Sequence, residues 1–200
     1  AQMHYTVLIV GAGPSGLTAA LKLARSGNRL RVVVVDGGHC LDRRVTDREN
    51  PTSLAFGAGG AGIVNDGKFT GGMAGTAAHS LKGYQEALRE VADLLGVDAK
   101  RLLPASGHVH AEMAAGWTLK QSESIQIDLD GRIQLVRKMI DECTAAGVEF
   151  RWKTRVEHMR YDAPTDSFVC TTRFDTSVID IQSSLVVLAV GRLGPYADFM

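Results

Sequence analysis

Apolar and polar positions fall along this chain in blocks that read as strand, helix and strand. A β-branched run, Val7 to Val10, stops at Gly11, and an amphipathic helical pattern follows it to Gly27. A second, mostly apolar run, Leu30 to Val35, ends on Asp36. From Gly37 to Phe56 periodicity disappears into a polar stretch, of a length that compact domains reserve for functional or disordered loops. Residues 56–75 then mix many glycines with the apolar anchors Phe56, Ile63, Val64, Phe69 and Met73. Flexible linkers are Gly/Ser-rich and avoid such anchors, so this segment is expected to lie against a flat ligand or another backbone.

Further on, Leu81, Tyr84, Leu88, Val91 and Leu95 recur at three- and four-residue steps and predict a core-facing helix ended by Gly96. Asp98 to Leu103 reads as one more turn, stopped by Pro104. Asp130-Gly131 precedes another helix, with Ile133, Val136, Ile140 and Cys143 on one stripe and Gly147 past its end. Extended runs follow at Val148–Trp152, Arg155–Met159, Ser167–Phe174 and Val178–Ile181, with turns at 163–166 and 175–177. They predict a small antiparallel meander. Leu185 to Val190 (LVVLAV) is wholly apolar and is expected to re-enter a parallel sheet beside the first strand as a buried strand.

The glycines after the first strand sharpen this picture. Gly11, Gly13 and Gly16 make a G-x-G-x-x-G between strand and helix, and Asp36 stands twenty positions after Gly16. Those are the parts of a dinucleotide-binding βαβ unit in order and at the expected spacing. Gly11 lets the chain turn sharply, Gly13 lets a pyrophosphate approach the backbone, and Gly16 lets the helix pack tightly on the sheet. The helix N-terminus offers free N–H groups and the positive end of its dipole. Pro14 and Ser15 suit the first turn, where a missing N–H costs nothing and a hydroxyl can bond a phosphate or an orphan amide. Asp36 is placed to accept hydrogen bonds from a ribose diol, beside Gly37, and its charge argues against a 2′-phosphate there. The whole reads as an α/β fold. It is Rossmann-like, of the FAD/NAD(P)-binding kind, a parallel sheet with helices plus a small antiparallel β-meander. One domain over residues 1–200 is expected: the βαβ unit and glycine loop at 1–75, a partly helical excursion at 76–130, and the helix, meander and last strand at 131–200.

Single residues leave alternatives open. Arg44, close behind Asp36, either sits on a solvated loop or a short helix with local ion pairs to its acidic neighbours, or reaches a cofactor phosphate with its planar fork. Lys68, in Asn65-Asp66-Gly67-Lys68, is either a surface lysine or, if the ligand is a flavin, a cation near the ring that stabilises negative charge on its reduced form. His79, His108 and His110 lack carboxylates or cysteines at ligand spacing, so no metal site is expected. No catalytic residue can be assigned; Lys68 and His79 are the weak candidates.

Composition narrows the setting. Twenty-two basic and 22 acidic residues balance, which removes the electrostatic footprint of a nucleic-acid or membrane-surface protein. No apolar run approaches the roughly 20 residues that span a bilayer. Three scattered cysteines, Cys40, Cys143 and Cys170, fit a reducing cytoplasm. They form no C-x-x-C or C-x-x-x-x-C pair, which counts against a dithiol–disulfide reductase.

On these motifs the chain resembles the large flavoprotein superfamily of glutathione-reductase-type and hydroxylase-type FAD enzymes. GAGPSG with Asp36, the strand and meander RWKTRVEHM…SFVCTTRF, and LVVLAVG carry the likeness. The last stands where that superfamily has an A-T-G motif, with Val190 for the usual threonine. GAGGAGIVNDGKFTGG is similar to a group of FAD-dependent dehydrogenases with a GGAG…DGK stretch. The resemblance covers nearly the whole chain, most weakly from His79 to Asp128. It implies that Gly11, Gly13 and Gly16 hold the pyrophosphate of FAD and Asp36 the adenosine ribose. Val156 would pair its backbone with adenine, and Ala189 and Gly191 would lie by the cofactor. Gly60, Gly62 and Asp66 would approach its ribityl or flavin part.

The implied function is an FAD-dependent oxidoreductase, dehydrogenase or monooxygenase, acting on a small organic substrate with NADH or NADPH as candidate electron donor. A non-catalytic dinucleotide-binding module is one alternative. An NAD-linked dehydrogenase is another, disfavoured by the meander and the last strand. Such enzymes continue into a substrate domain and a Gly-Asp motif, and this chain stops at Met200 before either. The expectation is therefore a fragment, a nicked product or one part of a split enzyme, completed by its C-terminal remainder or a second chain.

Overall fold

β1 (His4–Val10) and β2 (Val32–Val35) lie side by side in parallel, joined by α1 (Pro14–Arg25). All four valines of β2 are buried, as a central parallel strand covered on both faces requires. The computed structural model describes residues 4–47, 54–70, 81–101, 111–114, 117–119 and 124–191. The chain divides into two compact units, residues 1–64 with 129–200 and residues 65–128.

The first unit is Rossmann-like α/β, with an antiparallel meander built into the same sheet. After β2 come α2 (Leu41–Thr46), α4 (Leu129–Ala145), β7 (Glu149–Arg151), β8 (Thr154–Asp162), β9 (Ser167–Phe174) and β10 (Ser177–Leu188). The six strands run in the order β7-β2-β1-β10-β9-β8. β10 does two jobs. Its first half pairs antiparallel with β9, from Ser177↔Phe174 to Ser183↔Phe168, and its second half pairs parallel with β1, out to Val10↔Leu188. What reads in sequence as two strands, Val178–Ile181 and Leu185–Val190, is one continuous strand, because Gln182, Ser183 and Ser184 keep an extended backbone between them. The meander folds back on the parallel strands, so Val156, Cys170 and Ile181 share a core with Leu8, Val10, Val33 and Val35.

The apolar run at the end of β10 is beside β1 as expected, but it is not buried throughout. Leu185 is 58% exposed and Leu188 41%. An unbroken apolar run reveals that a strand can be covered on both faces. It does not reveal whether anything covers it. Elsewhere α1 packs on α4, where Arg25 forms a two-pronged ion pair with Glu142 at 2.5 and 2.8 Å. At the β7 edge the buried Tyr5 hydroxyl donates to Glu149 Oε2 (2.5 Å) and accepts from Arg151 (2.9 Å). Burial, then the Glu149 hydrogen bond, raises that phenol's pKa above its ordinary value.

The second unit holds β3 (Lys68–Thr70), α3 (Tyr84–Leu95), β4 (Ala111–Ala114), β5 (Trp117–Leu119) and β6 (Ser124–Gln126). β3 pairs antiparallel with β6, and β4 with β5. The predicted helix is present but begins at Tyr84, leaving Leu81 exposed before it. Its stripe packs Ala92, Val91 and Leu95 with Ile125, Val97 and Ile127, and Gly96 ends it in the left-handed region (φ 67°).

The cysteines make a direct check on this core. Cys143 on α4 and Cys170 on β9 are buried, and burial pushes each thiol up to about 11, while Cys40 is half-exposed. The thiolate is the reactive form. A thiol reagent at pH 8 is therefore expected to label Cys40 in the native protein and to reach Cys143 and Cys170 only after unfolding, as mass spectrometry would read. Early labelling of Cys170 would contradict the packing of β9.

Among the described residues no helix is long and apolar enough to cross a membrane. No group of three or more His, Cys, Asp or Glu among them is arranged to hold a metal ion.

Candidate functional site

The carboxyl ends of β1, β2 and β10 meet around bare backbone. Gly11 turns out of β1 with φ 107°, a conformation that L side chains rarely adopt, and its N–H donates to Val35 O at 2.8 Å. Ala189 N–H donates to Val10 O at 2.8 Å, which brings the end of β10 against that turn. A Cβ on Gly11 would lie 2.4 Å from Ala189 O, and one on Gly16 would lie 1.8 Å from Gly11 O. Both glycines are thus required by the fold itself.

Gly13 is different. Its φ of −73° and ψ of −175° suit any residue. The nearest described atom to a Cβ there is Gly60 Cα, at an ordinary 3.8 Å. Gly13 caps α1, whose first hydrogen bond runs from Leu17 N–H to Gly13 O (2.9 Å). The amides before Leu17 therefore have no partner within the helix, and Pro14 has none to offer. With no acidic residue in its first turn, α1 directs amides and the positive end of its dipole at this spot.

Asp36 ends β2 as expected, but its carboxylate is largely occupied by the protein. Oδ2 accepts from Ala12 N–H at 2.8 Å, and Oδ1 accepts from Gly38 N–H at 2.8 Å and Gly57 N–H at 2.6 Å. The residue is 9% exposed. A carboxylate offers about four acceptor positions, and three amides leave room for a ribose hydroxyl only at Oδ2. Asp36 therefore staples three stretches of backbone together. β8, at the far edge in pairing order, also returns here: Thr154 N–H donates to Asp36 O at 2.8 Å and Lys153 N–H to Gly38 O at 2.7 Å. That places Val156, whose side chain is buried, two residues beyond the tie. Gly37 lies against the Arg155 side chain, about 3.8 Å from where a Cβ would be.

The second glycine stretch folds onto the first. Gly59 N–H donates to Ala12 O (2.8 Å) and Ala58 N–H to His39 O (3.0 Å). Gly60 takes φ 51°, and a Cβ on it would meet Gly13 Cα at 2.9 Å; one on Gly62 would meet Pro14 Cγ at 2.9 Å. Gly60 thus lies against another backbone and Gly62 against the Pro14 ring. Ser15 is exposed on the first turn of α1, and Gly191 follows β10 with φ 69°.

Arg44 stands on a short helix, one of the expected placements, and its side chain turns inward. It is 4% exposed, its Nη1 donates to Ala58 O and to Gly60 O (2.9 Å), and its Nη2 donates to Leu54 O (3.3 Å). Burial lowers its pKa from the ordinary arginine value, and the charge of Asp36 opposes that shift. Sequence reasoning missed this inward turn. The signal available was the count of glycine carbonyls in residues 54–60 without a strand to satisfy them.

Asp66 and Lys68 belong to the second unit. Asp66 Oδ1 accepts from Lys68 N–H at 3.2 Å, and the two side chains face each other at 4.0 Å, both well exposed. His79, His108 and His110 lie outside the described residues.

A protein-family model described as pyridine nucleotide-disulphide oxidoreductase matches residues 5–128. Among curated proteins no sequence relative matches. Many solved structures share the fold, three of them as follows. The 3-ketosteroid-delta4-(5alpha)-dehydrogenase of Rhodococcus jostii RHA1, solved with 4-androstene-3,17-dione, is 16% identical with a TM-score of 0.54 over 92% of this chain and 45% of its own. THI4 of Thermovibrio ammonificans is 16% identical with a TM-score of 0.52 over 98% and 60%. A geranylgeranyl bacteriochlorophyll reductase-like protein of Thermoplasma acidophilum is 14% identical with a TM-score of 0.50 over 94% and 40%. At such identities the likeness is one of fold. The chain spans 60% or less of each of these proteins, and 31% or 32% of four others.

Proposed function

The chain belongs to the pyridine nucleotide-disulphide oxidoreductase family, and on that premise we propose that its glycine cradle holds the ADP half of FAD in an oxidoreductase acting on a small organic molecule. Gly13 is the observation that carries the reading. Gly11 and Gly16 are explained by backbone contacts within the protein, whereas Gly13 has an ordinary conformation and room for a methyl group. A ligand approaching from outside is what a bare backbone serves there, at a helix N-terminus suited to a diphosphate. In this reading the amides of Gly13, Ser15 and Gly16 receive the pyrophosphate. Asp36 Oδ2 accepts from the adenosine ribose, the backbone at Val156 meets adenine, and Ala189 to Gly191 run alongside the cofactor.

When bound, the flavin supplies the electron-accepting chemistry, and the protein supplies binding and orientation. Dehydrogenation and hydroxylation both fit, with NADH or NADPH as electron donor in the second case.

Gly13→Ala tests the reading most sharply. Stability in urea is expected to stay within about 1 kcal/mol of the parent, since the added methyl meets no atom closer than ordinary contact. FAD and ADP affinity by calorimetry are expected to fall at least about tenfold, the equivalent of one displaced charge-assisted hydrogen bond. Equal affinity in both proteins, or a colourless parent that binds neither FAD nor ADP, would remove the proposal. Anaerobic titration of the yellow protein with NADH and NADPH then separates an enzyme reduced by a nicotinamide from one reduced by its own substrate.

A further inference from the structure

We propose that Arg44 is a positioning residue, which folds the second glycine stretch onto the first before any cofactor is bound. Residues 54–60 run without a strand partner, and Gly57, Gly59 and Gly60 all have positive φ, at 93°, 79° and 51°. A stretch so rich in glycine loses much conformational entropy on ordering and needs fixed partners to hold one shape. Arg44 reaches it from α2, whose Leu41 and Arg44 are buried. Its fork gathers the carbonyls of Leu54, Ala58 and Gly60 from three points along the stretch. A planar guanidinium with donors in fixed directions suits that task, and an ammonium does not.

Gly57 records the same fit from the other side. A Cβ on it would stand 2.5 Å from His39 O and 2.7 Å from Arg44 Cδ, so its bareness admits both the His39 backbone and the arginine stem. Its N–H meanwhile donates to Asp36 Oδ1 at 2.6 Å. The arginine thus holds the carbonyls of the stretch and the aspartate holds an amide. Between them they seat Gly60 on Gly13 and fix the Gly59 amide on Ala12 O. Arg44 acts on a ligand through that seat and not by touching a phosphate.

The test uses ligand-free full-length protein carrying Arg44→Met or Arg44→Lys, with amide hydrogen exchange followed by NMR. In R44M the amides of Gly57, Gly59 and Gly60 are expected to exchange about 10- to 100-fold faster, the loss of one or two hydrogen bonds from a charged donor, with α4 unchanged. R44K is expected to recover only part of the protection. Calorimetry gives the second readout: ADP and adenosine should weaken by the same factor in R44M. Unchanged exchange at 57–60, or a loss of ADP affinity that spares adenosine, would overturn the proposal and make Arg44 a phosphate ligand. Should R44M not fold, R44K decides by the same pattern, faster exchange confined to 57–60 supporting the proposal and uniform change opposing it. The exchange result holds whether or not the chain binds FAD, so it stands apart from the cofactor reading.

Discussion

Gly16→Ala is expected to destabilise the protein by about 3 kcal/mol or more, at or above the top of the usual range for overpacking. The added Cβ would sit 1.8 Å from Gly11 O and 3.0 Å from Gly11 C. Both are backbone atoms at the turn out of β1, so neither can rotate away as a side-chain tip would. Relief requires α1 to lift from the sheet, which would strip cover from the buried Leu17, Ala20 and Leu21. Two effects oppose each other here. In an exposed helix, Gly to Ala gains about 1 kcal/mol of helix propensity. The steric cost exceeds that gain several-fold and decides the sign. Urea unfolding is the measurement, and a stabilised Gly16→Ala protein would mean that α1 does not approach the Gly11 turn as closely as described. Since domains are stable by only about 5–15 kcal/mol, the variant should also express poorly.

Asp36→Asn is the other large effect, expected at about 2–4 kcal/mol in the protein without any ligand. The substitution keeps size and shape. It leaves one acceptor oxygen, however, and puts an NH2 donor in place of the other. Whichever way the amide turns, a donor then faces Ala12 N–H, or faces Gly38 N–H and Gly57 N–H together. Two donors that point at each other in a buried site leave both unsatisfied. Arg44 also loses a neighbouring negative charge that offsets its burial. ADP affinity should fall with stability, because the acceptor proposed for the ribose is Oδ2, which Ala12 N–H also uses. Thermal or urea unfolding of ligand-free Asp36→Asn distinguishes this staple from a residue that serves the cofactor alone, since the latter would lose affinity with stability intact.

These two residues also show how far the chain can be read without its fold. The strand–glycine–helix–strand order, the second helix and the meander were all legible, because apolar period and punctuating glycines are local signals. α3 and α4 follow their apolar stripes to within a few residues. The short strands β3 and β6 were not legible. Three residues are too few to show a period, and Lys68–Thr70 becomes a strand only by pairing with Ser124–Gln126. Nor did two separate apolar runs disclose that β10 is one strand shared between antiparallel and parallel neighbours. Ser183, which joins them, is fully buried in spite of its hydroxyl.

By itself the sequence determined where the backbone must be bare and where a helix must begin, and so it located the cradle at Gly11, Gly13 and Gly16. Steric limits on φ and on close approach act within a few residues, and the residue types record them. The tertiary structure alone decided how the polar groups around that cradle are used. Asp36 and Arg44 have the right chemistry and spacing for ribose and phosphate. In the folded chain their hydrogen bonds also go to Ala12, Gly38, Gly57, Leu54, Ala58 and Gly60, atoms brought near only when β1, β2 and the second glycine stretch assemble. A buried amide or carbonyl must find a partner, and that demand competes with a ligand for the same side chain. That competition depends on distances in the folded chain and leaves no trace in the order of its residues.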